Sequence, residues 1–109
     1  MASFSYTIDD VVTAVRLGDA AMLSRFFDDK IEISLQDRSH TYSRSQAEMV
    51  LRDFFRQRNV KSFQVVLRGN SQDSEYCVGS LQTGQGLYRT TIFLKLRGDR
   101  KYIREIRFE

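Results

Sequence analysis

A chain of 109 residues with 41% hydrophobic and 28% charged side chains has the size and composition of one self-supporting domain and is too short for two, so residues 1–109 are read as a single unit. The net charge of +3 is uneven: residues 1–42 hold four basic and seven acidic side chains, residues 43–109 thirteen basic and seven acidic. The basic residues are scattered singly and never form a run, which reads as solvated faces and excludes an expected nucleic-acid partner; no apolar stretch is long enough for a membrane span.

Met1 to Tyr6 lack a basic n-region and an apolar h-region, so no export leader is expected there. Thr7 is placed to cap a first helix, with Asp9 and Asp10 at the positive end of its dipole. Ile8, Val11, Val12 and Val15 form one apolar stripe at helical spacing, and Gly18 supplies a left-handed stop. Asp19 is the expected cap of a short second helix with Met22, Leu23, Phe26 and Phe27 on its apolar face, ending at Asp28-Asp29-Lys30. Ile31, Ile33 and Leu35 then alternate with polar residues as a short strand, and His40-Thr41-Tyr42 reads as a second. Ser43 and Gln46 make a capping box for the longest helix, residues 44–58, whose stripe is Ala47, Val50, Leu51, Phe54 and Phe55.

From Val60 the hydrophobic period changes to two. Phe63, Val65 and Leu67 mark one strand. In the next, Tyr76, Val78 and Ser80 are taken as the apolar row against Cys77, Gly79 and Leu81. A third strand carries Tyr88, Thr90, Ile92, Leu94 and Leu96, and a fourth carries Tyr102, Ile106 and Phe108 beyond the Gly98-Asp99 turn. Successive turn-connected strands imply an antiparallel meander, and the fold class is α+β.

Several segments carry a family resemblance: Tyr42-Ser43 with Gln46-Ala47-Glu48, Leu51-Arg52-Asp53-Phe54-Phe55, Lys61-Ser62-Phe63, Tyr88-Arg89 with Ile92-Phe93-Leu94, and Glu105-Ile106-Arg107-Phe108-Glu109. From about residue 7 onward the chain resembles the nuclear transport factor 2-like superfamily, and within it a small bacterial family described only as a domain of unknown function. The resemblance implies a cone: N-terminal helices plus a curved antiparallel sheet wrapped on one long helix. It also implies export, because members usually carry a leader. The superfamily spans isomerases, dehydratases and non-catalytic binding or dimerisation modules, so the fold does not select an activity.

Enzymes of that superfamily place an Asp or His base near a Tyr or acid donor inside the cone, since proton removal and charge stabilisation act at separate points. No such pair stands out here. His40, the sole histidine, falls in a polar stretch; Asp53 lies off the long helix's stripe; Asp9 and Asp10 serve the helix start. No catalytic residue, metal ligand set or cofactor is assigned, and Cys77, in a strand, reads as a small buried hydrophobe. The expected function is a non-enzymatic small-ligand or protein-binding module, with a small cavity enzyme of isomerase, dehydratase or hydrolase type as the alternative. The expected pocket is small and apolar, with Tyr42, Tyr76 and Tyr88 as its polar points and Phe26 or Phe27 as its roof; a cone filled by the aromatic side chains is the rival outcome. Val66, Cys77, Leu81, Leu87, Phe93 and Ile103 are assigned to the outer sheet face, and that surplus of apolar residues predicts a homodimer through this face.

Overall fold

The computed structural model describes residues 8–109. Thr7, the expected cap, and Met1 to Tyr6 lie outside the described residues. Helix α1 (Ile8–Leu17) buries Ile8, Val11, Val12, Ala14 and Val15, the stripe its sequence spacing dictates. Gly18 ends it with φ 63°, and Asp19 caps α2 (Ala20–Ser24) by accepting from the Met22 N–H at 2.9 Å. Phe26 and Phe27 are not on α2: β1 (Phe27–Leu35) already starts at Phe27, where the Ile103 N–H reaches the Phe26 carbonyl at 2.6 Å. Aromatic residues suit a buried strand start as well as a helix face, so local pattern does not separate the two.

A short hairpin leads to β2 (Arg38–Ser43), an exposed polar edge strand. Ser43 and Gln46 form both halves of the capping box that opens α3 (Arg44–Arg58). Ala47, Leu51, Phe54 and Phe55 are buried and Val50 half-buried, which matches the expected stripe. At the other end Asn59 adopts the left-handed conformation, and the Gly84 N–H caps the Arg58 carbonyl at 2.8 Å.

The meander follows as β3 (Val60–Asn70), β4 (Ser74–Thr83), β5 (Gly86–Arg97) and β6 (Arg100–Phe108). The six strands are ordered β2-β1-β6-β5-β4-β3. All neighbours are antiparallel except β1 and β6, which run parallel, so the sheet is mixed rather than wholly antiparallel. The three helices cover one face: α1 lies over β3 and β4, α3 over β1 and β2, and α2 packs on α3.

Two bulges decide which residues meet the helices. The pairing of β3 with β4 slips at Val66, and that of β5 with β6 slips at Arg104. Each extra residue inverts the alternation beyond it. The covered face therefore takes Phe63, Cys77, Leu81, Thr90, Ile92, Leu94, Ile103, Ile106 and Phe108, all buried. Cys77, Leu81 and Ile103 are core residues, not outer-face residues as their sequence rows suggested. Leu67 moves the other way and is 52% exposed.

Candidate functional site

Three places bear on binding: the covered face where the tyrosines were expected, the end of α3, and the outer face of the sheet.

The five predicted pocket residues do not converge. Phe26 and Phe27 are buried in the core. Tyr42 is half-buried on β2, level with Ile31, its ring 6.1 Å from that of His40. Tyr76 pairs across the sheet with Phe93 and stands on the outer face, one residue out of phase with buried Cys77. Tyr88 is on the covered face, edge-on to Phe54 at 5.5 Å, and its hydroxyl accepts a hydrogen bond from Arg58 Nε at 3.0 Å. Phe54 stacks on Phe108 at 4.3 Å, so aromatic rings occupy the volume between α3 and the strands. Clefts among the described residues lie beside Glu32 and Arg107, between Leu17 and Arg56, and between Val66 and Arg89. His40 and Asp53 are exposed on different elements and do not share a site. Burial pushes the Cys77 thiol up to about 11, against a smaller opposite pull from Arg68; a protonated buried thiol is a poor nucleophile.

At the end of α3, Arg58 was not singled out by sequence reasoning, yet it continues the buried stripe, one turn beyond Phe54. That is the signal that finds it: a basic residue in phase with apolar ones. Its guanidinium lies 4.5 Å from the Phe54 ring centroid and 5.8 Å from that of Tyr88. Arginine tolerates such a position because its flat, weakly hydrated faces suit aromatic surfaces.

The outer face is different in kind. Val66 and Leu67 are 71% and 52% exposed, and Leu87 is 61% exposed. Val66, Leu67, Val78, Gly79, Ser80 and Arg89 line an open groove of about 300 Å³, with half-buried Tyr76 and Phe93 on the same face. Charges of both signs surround it: Arg89 on one side, Arg107 paired to Glu105 at 2.9 Å on another, and Glu32 beside Glu105 in the parallel pair. The sheet edges, by contrast, are blunted. The Arg16 guanidinium donates twice to the Phe63 carbonyl, at 3.2 and 3.1 Å, the bulge at Val66 breaks β3, and β2 is short and polar.

Comparison with known proteins agrees with this architecture. A family model described as "Domain of unknown function (DUF4783)" matches residues 8–109. A DUF4783 family protein from Bacteroides ovatus is 30% identical, with 91% of this chain and 90% of that chain covered and a TM-score of 0.88. One from Bacteroides uniformis is 26% identical, with 95% and 96% covered and a TM-score of 0.93. An NTF2-like protein of unknown function from Cytophaga hutchinsonii, 6% identical, covers 100% of this chain and 93% of its own at a TM-score of 0.70; at that identity it speaks for the fold alone. No functionally curated protein matches.

Proposed function

The chain belongs to the DUF4783 family of domains of unknown function, and from that premise we propose that it is a non-catalytic binding module whose copies pair through the outer face of the sheet. The observation that carries this reading is the exposed apolar surface at Val66 and Leu67, continued by Tyr76 and Phe93, with exposed Leu87 further along the same face. An antiparallel sheet with one solvated face normally shows polar residues there, and contiguous exposed apolar surface marks an interaction site.

A second copy is the occupant that fits. In a two-fold interface the same patch serves both partners, so it must complement itself. This face carries its apolar centre together with Arg89 and Arg107 on one hand and Glu32 and Glu105 on the other. Pairing by strand addition is disfavoured, because both edges are blunted. Face-to-face association uses what the molecule leaves open.

Sedimentation equilibrium at micromolar concentration tests the reading. A dimer mass is expected, reduced to a monomer mass by Val66→Asp combined with Leu67→Lys, with the circular dichroism unchanged. A monomer mass for the unaltered protein across the concentration range would overturn it.

A further inference from the structure

Among the arginines, Arg58 alone is half-buried; every other one is exposed. Buried guanidinium groups are normally paired with a carboxylate, because removing the charge from water without a counter-charge is unfavourable. The ion pairs of the described residues engage Arg44, Arg52, Arg68, Arg97, Arg104 and Arg107 and leave Arg58 out. Its Nε is fixed by the Tyr88 hydroxyl and its plane rests over Phe54. Its two Nη groups have no acceptor among the described residues. A cationic fork is thus held in one orientation, partly shielded from water, with its terminal donors unused.

From this we infer that Arg58 is the anchor of a binding site for a small organic monocarboxylate, on the helix-covered side of the sheet. The fork geometry matches a planar carboxylate, which accepts two parallel N–H bonds. Half-buried Tyr88 beside it offers aromatic surface to the remainder of such an acid, while Phe54 lies buried beneath the guanidinium and holds it in place. A single negative charge is favoured over a phosphate dianion for two reasons. The fork itself supplies one positive charge, and Arg58 is the last residue of α3, where the helix dipole places partial negative charge. The site uses no residue of the outer face, so its fate and that of the dimer are read separately.

The test is a titration of isotope-labelled protein with sodium benzoate, followed at the Arg58 Nε–H resonance, with inorganic phosphate as the comparison ion. A saturable shift at millimolar benzoate or below is expected, with phosphate shifting the resonance far less. Arg58→Lys keeps the charge but loses the fork, and binding by the folded variant, followed by calorimetry, should weaken about tenfold or more. Tyr88→Phe, which keeps the ring and frees the guanidinium, should weaken benzoate by a smaller factor and covers the case in which the lysine variant does not fold. No saturable shift, undiminished binding in Arg58→Lys, or a phosphate response equal to that of benzoate would each overturn the assignment.

Discussion

The two faces of the sheet use similar side chains to opposite ends. Under the helices, Phe63, Leu81, Ile92, Ile106 and Phe108 are fully or almost fully buried, and Phe54 of α3 stacks on Phe108 and meets Tyr88 edge-on. On the other side Val66, Leu67 and Leu87 stand in solvent among charged neighbours. A domain this small needs its large side chains for the core. With those in the core, two kinds of place stand out: an open apolar face, and the end of α3 where a charge enters the aromatic cluster.

The contrast breaks most visibly at Phe54. Phe54→Ala should destabilise the fold by about 3–5 kcal/mol, because its ring touches Phe55, Tyr88 and Phe108 and the void cannot collapse fully. Leu67→Ala on the opposite face, measured at a concentration low enough for the monomer, should stay within about 0.5 kcal/mol. Urea denaturation of both variants measures the difference; equal losses would mean that the outer face is already buried in the folded protein or that the core is loosely filled.

Gly79 sharpens the comparison on the covered side. A Cβ there would stand 2.5 Å from Phe63 Cε1 and 2.7 Å from the Gln64 carbonyl, and a backbone atom cannot step aside. Gly79→Ala should therefore cost about 1–3 kcal/mol by overpacking, readable as a lowered urea midpoint. An unchanged midpoint would show that β3 shifts freely over β4.

The smallest effect is that of Cys77. Its folded thiol keeps its proton up to about 11 because of burial, whereas the unfolded chain ionises at the ordinary thiol value. Between those two points the unfolded state holds fewer protons, so the thiol's contribution to stability is intact below the ordinary value and falls as pH rises through this window. Substituting Cys77→Ala should flatten that part of the stability profile, and reaction with a thiol reagent should track unfolding. Rapid labelling of the folded protein would contradict the burial assigned to this face.

Much of this was legible before any coordinates. The capping box at Ser43 and Gln46, the α1 and α3 stripes and the turn at Gly98 follow from local rules, and the structure has them. What failed was parity. A bulge at Val66 or Arg104 leaves no mark on composition, yet it reverses every side chain beyond it, which moved Leu67 outward and Ile103 inward. In β4 no bulge intervenes; both rows are apolar enough to be the buried one, so Tyr76 and Cys77 exchanged places. The same parity separates the tyrosines: Tyr76 stands on the face opposite Tyr88, a division that alternation alone could not make. Arg58 was readable, in phase with Phe54, but a charge on a stripe is easily taken as the helix end that dipole compensation would favour.

The parallel seam between β1 and β6 bears on how the chain reaches this state. Each meander strand meets its predecessor across a short turn, and β1 meets β2 the same way. Joining the two units requires Ile33 to find Ile106, closing a loop that contains β2, α3, β3, β4 and β5. Loop-closure entropy is surrendered at that step before the contacts across the seam repay it. On that ground the Phe54–Phe108 stack and the β1–β6 ladder are expected to form together and late, and a substitution at either should speed unfolding more than it slows folding.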